Sequence, residues 1–289
     1  MAISATQVKE LREKTGAGMM DCKKAMEEAN GDFEKAIEIL RKKGAAVAAK
    51  RAERTANEGI VLTRIYNSGK SAAILEVNCE TDFVAKSDEF INFTNFALDL
   101  IVEKQPADVP SLLELSKDGK KVAEELHALI GKIGEKIEIS RFAVENTETG
   151  LIVDYIHAGS KLGVLIKSDN IPVEKAAELQ SILKDIAMQI AAMRPVSIYR
   201  DEVDKSVVEK EVEIYKELAR KEGKPEQILE KIAVGKLNKF YEENCLFEQA
   251  FVKDNTKKIG SLIDDFNKAN SAQAKLVKFR RFHLSDEKK

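Results

Sequence analysis

Cysteine is scarce in this chain and follows no pattern. Cys22, Cys79 and Cys245 are odd in number and widely separated, with no CxxC pair. That argues against a disulfide framework and against a cysteine-built zinc site, and it fits free thiols in a reducing cytoplasm. Long apolar runs are missing too. No stretch approaches the roughly 18 residues that a membrane helix needs, and the N-terminal MAISATQVKELREK holds no apolar secretion segment. A cytoplasmic location is the expectation. Nor is there an excess of one charge: 47 Lys and Arg stand against 49 Asp and Glu, leaving a net charge of −2. A dedicated nucleic-acid binder usually carries a strongly basic face, so that class is disfavoured.

Catalytic signatures are equally absent. The sequence contains no GxSxG, GxGxxG or GxxxxGK[ST]. GAGMMDCK has glycines before a helical pattern, but it is one glycine short of a phosphate loop and no strand precedes it. His127, His157 and His283 lack metal-ligand spacing such as HExxH. Cys79 beside Glu80 could pair a nucleophile with an acid, yet no motif supports it. No enzymatic site, metal or cofactor is expected.

What remains is a well-charged globular chain. Hydrophobic residues make up 44% and charged residues 33% of 289, enough for more than one domain. Ser4 and Gln7 form a capping box at the start of a short helix carrying Val8 and Leu11. TGAGMM breaks that helix. Cys22, Ala25, Met26 and Ala29, and then Phe33, Ala36, Ile37 and Leu40, recur at helical spacing on either side of an Asn30-Gly31-Asp32 turn. AAVAAKRAERTANEG has few large apolar residues and reads as a helical linker.

From Gly59 the period becomes two. Residues 60–66 and 72–78 read as strands joined by Asn67-Ser68-Gly69. Phe90, Phe93, Ala97, Leu100 and Ile101 mark a helix, Leu126, Leu129, Ile130 and Ile133 another, and residues 136–144 a strand. GIVLTRIYNSGKSAAILEV from Gly59 then aligns without gaps to GLIVDYIHAGSKLGVLIKS from Gly150. Each copy is a β-hairpin followed by a helix. The first continues NCETDFVAK and the second DNIPVEKAA, so the scaffold is repeated but Thr-Asp-Phe is not. Residues 203–222 and 225–243 read as a charged helical hairpin, with Leu218 and Ile228 among its apolar positions. Residues 276–284 alternate again as a last strand before a polar SDEKK tail.

Two places invite a functional reading. Thr81 suits a helix cap and Asp82 its first turn. Phe83 is either a core aromatic or a contact residue. Met19 and Met20 are either a staple against the second helix or an adaptable contact for a partner.

Three segments resemble the bacterial translation elongation factor Ts family, nucleotide-exchange factors for elongation factor Tu. ELREKTGAGMMDCKKAMEEANGDFEKAIEILRKKG resembles the family's N-terminal module, itself similar to a ubiquitin-associated (UBA) three-helix domain. EVNCETDFVAK and YIHAGSKLGVL resemble its two core segments. The resemblance implies an α+β fold: a UBA-like module and linker (1–54), two core halves (55–149 and 150–198), a helical arm (199–245) and a return to the core (246–289). It also implies that Thr81, Asp82, Phe83 and Val84 form a tip pushed into the G domain of elongation factor Tu, displacing the elements that hold Mg²⁺ and phosphates. Arg12, Met19 and Met20 would grip a helix of that domain, and Ile133 and His157 would face the partner from the core. The arm matches the family's association region, making homodimerisation through residues 199–245 an expectation. Longer members continue into a C-terminal helical module that this sequence does not contain. The reading from another class is an adaptor that binds some other protein through the UBA-like module.

Overall fold

A computed structural model describes residues 3–286 of the chain. In chain order the elements are α1 (Ala5–Thr15), α2 (Met19–Glu28), α3 (Phe33–Arg51), β1 (Glu58–Tyr66), β2 (Ser71–Cys79), α4 (Asp82–Ala85), α5 (Asp88–Lys104), α6 (Val109–Glu114), β3 (Ser116–Lys117), β4 (Lys120–Lys121), α7 (Val122–Ile133), β5 (Ile137–Asn146), β6 (Leu151–Ile156), β7 (Leu162–Asp169), α8 (Ala176–Met193), α9 (Lys205–Lys221), α10 (Glu226–Asn244), β8 (Ala250–Phe251), β9 (Asp254–Lys258), α11 (Ile259–Asn270) and β10 (Lys275–His283). Helices and antiparallel sheets occupy separate layers, which makes the fold α+β.

Local chemistry sets the first helices. The Ser4–Gln7 capping box forms, with Gln7 N donating to Ser4 Oγ at 3.2 Å and Ser4 N donating to Gln7 Oε1 at 3.0 Å. Gly16 closes α1 in left-handed backbone at φ 68°. Asp32 caps α3 by accepting from the amides of Glu34 and Lys35. Val8, Leu11, Cys22, Met26 and Ala36 bury themselves between the three helices. The run that reads as a linker begins as an unbroken continuation of α3. Its small residues have a packing reason: α3 crosses α7 so closely that a Cβ on Gly44 would sit 2.7 Å from the His127 carbonyl oxygen. Val47 and Ala48 join the core beyond it.

That core is built on two three-stranded antiparallel sheets, ordered β1-β2-β5 and β10-β7-β6. Both hairpins of the sequence repeat are present, and each gains a third strand beside its second one. The third strands lie outside the gapless repeat because insertions of different length precede them: α6 to α7 in one half, the α9–α10 arm and α11 in the other. One face of the first sheet packs on α5 and α7, and one face of the second packs on α8 and α11. The remaining faces meet each other through Val61, Ala72, Ile74, Ile152 and Leu165. Val61 and Ile152, like Ile74 and Leu165, are equivalent positions of the repeat. Covered on both sides, all nine residues of β2 are buried.

The halves also trade polar contacts at equivalent positions. Lys70 Nζ donates to the Gly150 carbonyl at 2.7 Å, and Lys161 pairs with Glu58 at 2.6 Å. Thr63 donates to its counterpart Asp154 at 2.6 Å. In the arm, Ala219, Leu229 and Ala233 form the buried seam. Leu218 and Ile228 are exposed rather than part of that seam.

The repeat's two leading glycines differ in purpose from the glycine of the arm. A Cβ at Gly59 would overlap the Val77 carbonyl, and one at Gly150 would overlap that of Ser168, whereas Gly235 has open space around it. Gly150→Ala should therefore cost about 3 kcal/mol, the upper end for forced overpacking. Gly235→Ala should add about 0.5–1 kcal/mol by favouring α10. Urea midpoints measure both, and an unchanged midpoint for Gly150→Ala would contradict this close strand approach.

Candidate functional site

A single helical turn, α4, stands where β2 ends. Four residues cannot sustain a helix unaided, because nucleation is costly and isolated short helices are marginal in water. Outside contacts hold it. Thr81 caps the turn by accepting from Val84 N at 3.4 Å. Ala85 is buried and Val84 packs partly against the first core. Ser87 Oγ donates to the Val84 carbonyl at 2.8 Å and caps α5 by accepting from Phe90 N. The Cys79 thiol donates to the Thr81 carbonyl at 3.1 Å.

Two carboxylates cross between this turn and the loop after α7. Glu135 accepts from Thr81 N at 3.0 Å and from Thr81 Oγ1 at 2.7 Å. In return Glu80 accepts from Lys136 N at 2.6 Å. Glu80 also receives Arg54 at 3.1 Å and Arg51 at 3.7 Å, bringing the end of α3 to the same point. The Lys136 amide, with the arginines adding to it, holds the Glu80 carboxyl below the usual range.

Phe83 points out of this anchored turn and is 83% exposed. The reading of Phe83 as a core aromatic therefore fails. Burial of a Phe contributes about 1.5–3 kcal/mol, and here the fold forgoes it. Asp82 is in the first turn and pairs with Lys86 at 2.8 Å. That hydrogen bond lowers the Asp82 carboxyl from its ordinary value, and Lys161 contributes from the second hairpin.

The other candidate residues connect to the tip through contacts. Ile133 ends α7, two positions before Glu135, and is partly buried. Lys161 closes the turn that begins at exposed His157, whose Nδ1 lies 2.8 Å from the Tyr155 hydroxyl. A side chain at Gly16 would meet Lys132 Nζ at 3.7 Å, so the α1–α2 turn adjoins the end of α7. Met19 and Met20 follow that turn, 45% and 62% exposed, and neither is stapled into the helical core. Arg12 is exposed on α1. Two links run toward the tip: Gly16, shortly before Met19 and Met20, adjoins Lys132 beside Ile133, and Lys161, in the turn that His157 opens, acts on Asp82. Sequence reading missed Glu135, Lys86 and Lys161, and it weighed Glu80 as an acid beside Cys79 rather than as an anchor. The spacing of Asp82 and Lys86 carried a helical-pair signal; the Glu135–Thr81 contact spans 54 positions and carried none.

Burial, reinforced by the Glu135 carboxylate, pushes the Cys79 thiol up to about 12. Among the described residues no group of three His, Cys, Asp or Glu is placed to hold a metal ion. No helix of the described residues is long and apolar enough to cross a membrane. What stands out is a solvent-facing aromatic on an anchored turn, with two more exposed apolar side chains at the start of α2.

Comparison with known proteins gives the chain a family. The family model described as elongation factor TS matches residues 80–286, beginning at the tip itself. Elongation factor Ts of Chlorobaculum tepidum is 47% identical over 286 residues, covering 98% of both chains. That of Prosthecochloris aestuarii is 44% identical with the same coverage. That of Clostridium kluyveri is 48% identical over 288 residues, covering 98% of this chain and 93% of its own. The chain belongs to the elongation factor Ts family of translation elongation factors.

Two measurements test this description of the site. Phe83→Ala should leave the unfolding midpoint within about 0.5 kcal/mol of wild type, because no burial is lost, whereas Phe90→Ala should cost about 3–5 kcal/mol. At pH 8.5 the native Cys79 thiol should react with iodoacetamide about a thousandfold more slowly than a free thiol, following its shift from 9.0 to about 12. Rapid selective labelling at Cys79 would revive a nucleophilic role.

Proposed function

We propose that this protein binds elongation factor Tu in the cytoplasm and accelerates release of its GDP, with no covalent chemistry. The observation that carries the reading is Phe83: a large aromatic, 83% exposed, at the apex of a turn anchored on several sides. Such a group has no use in the folded core and suits insertion between side chains of a partner. Thr81, Asp82, Phe83 and Val84 form the wedge that disturbs the partner's Mg²⁺ and phosphate ligands. Mg²⁺ is often the largest local charge in a nucleotide site, so a small displacement of its ligands weakens nucleotide binding strongly.

The thermodynamics require no catalytic side chain. A factor that binds the nucleotide-free state better than the nucleotide-bound state promotes release. The coupling is reciprocal, typically 5–150-fold for 1–3 kcal/mol. Arg12, Met19 and Met20 on the three-helix module supply a second grip, and Ile133 and His157 add further contacts. Val207, Ile214 and Leu218, all exposed on α9, support the arm as the place where two copies pair.

The test is the release rate of a fluorescent GDP analogue from elongation factor Tu, alone and with the wild-type, Phe83→Ala and Asp82→Ala proteins. Wild type should accelerate release, and Phe83→Ala should lose about tenfold or more of that acceleration. A folded wild type without effect would sink the exchange reading. It would leave the exposed Met19–Met20 pair, and an adaptor for another protein, as the reading to pursue.

A further inference from the structure

We infer that Glu135 is a positioning residue of the exchange tip, holding the Thr81–Val84 turn so that Phe83 is presented rigidly; the inference rests on the exchange reading above. Three observations carry it. First, the turn cannot order itself: it is one helical turn long and its largest side chain gains nothing from burial. Second, among the described residues, the polar contacts that Thr81 receives from beyond its own segment come from Glu135, which takes both the amide and the hydroxyl hydrogen. The amide donates to Glu135 Oε2 and the hydroxyl to Glu135 Oε1. Both bonds together therefore fix the orientation of the residue at the base of the wedge as well as its position. Third, the contact is reciprocated. Glu80, immediately before Thr81, accepts from the amide of Lys136, immediately after Glu135. Each segment gives one carboxylate to the other's backbone, so the tip and the α7–β5 loop clasp one another.

The clasp also has a charge problem and its solution. Two acceptor carboxylates lie on adjacent segments, where their like charges repel. Arg51 and Arg54 lie against Glu80 and offset that repulsion. They come from the end of α3, which begins in the three-helix module. The wedge is thus braced on one side by the core and on the other by α3, which pairs through Lys43 with Asp21 beside Met19 and Met20. A purely stabilising role for Glu135 would lower the melting temperature and nothing else. A positioning role predicts more. The protein still binds its partner through its other contacts, but releases GDP more slowly once bound, because the competent tip is only partly populated.

The experiment uses the full chain and elongation factor Tu loaded with the fluorescent GDP analogue. Release rates are followed to saturation for wild type, Phe83→Ala, Glu135→Ala and Glu135→Gln. Glu135→Ala should lower the maximal rate about tenfold while shifting the half-saturating concentration less than about twofold. Glu135→Gln keeps the shape and one acceptor, and should fall between. In the free protein, amide hydrogen exchange at Thr81 and Ala85 should speed up in Glu135→Ala, with the amides of Leu75 and Phe93 unchanged. Should Glu135→Ala unfold, Glu135→Gln supports the same comparison. Wild-type maximal rates in both Glu135 variants, alongside an impaired Phe83→Ala, would overturn the inference and leave the exchange reading standing. A Phe83→Ala protein that matches wild type would instead remove the exchange reading itself.

Discussion

The turn of each hairpin is fastened to the first strand of the other half. Lys70 reaches the carbonyl of Gly150, Lys161 reaches Glu58, and the Val61 amide donates to the Ser160 carbonyl at 2.6 Å. Beneath these contacts Val61, Ile74, Ile152 and Leu165 close a core that neither sheet could close alone. Burying four such side chains contributes about 6–12 kcal/mol gross, comparable to the whole net stability of a typical domain. Separating the halves would expose this shared core, while each half keeps a larger core of its own. The halves therefore set one another's register, and everything placed at their edges inherits that precision.

One consequence is that the surroundings of the tip belong to neither half alone. The tip leaves β2 of the first half and Asp82 pairs with Lys86 of its own turn, while Lys161, in the hairpin turn of the second, adds to the charge around it. A duplicated scaffold could have carried two tips. Only one copy has Thr-Asp-Phe, while the other runs into Pro172-Val173-Glu174-Lys175 before α8. The second copy provides the surroundings of the first.

Much of the scaffold was legible in the sequence because its signals are local. Alternation gave the hairpins, Ser4 with Gln7 gave a helix start, and the gapless repeat gave the relation of the halves. The third strands were legible only singly. No local feature says that residues 137–146 and 275–283 occupy equivalent places. Small residues near Gly44 resemble those of a linker, and only the partner helix reveals that they permit close approach. At the tip, Thr81 and Asp82 read correctly as a helix start, but a Phe after a cap can face inward or outward with the same pattern. Its outward direction accompanies the burial of Ala85 and the contact of Glu135 with Thr81, neither of which local spacing reveals.

The unbroken course of α3 has a further meaning for recognition. Its 19 residues span about 28 Å at 1.5 Å per residue, and Arg51 at its end is tied to Glu80. Two binding elements joined by a flexible tether sample many separations, and the second contact forms at an effective concentration of about millimolar. Here Lys43 pairs with Asp21 beside Met19 and Met20, and Arg51, eight positions on, pairs with Glu80, so the two elements sample one separation of about 12 Å along α3. For a partner with the matching spacing, the entropy of the second contact is already spent during folding. A surface that met both contacts would have to match that fixed separation, with α3 as the ruler.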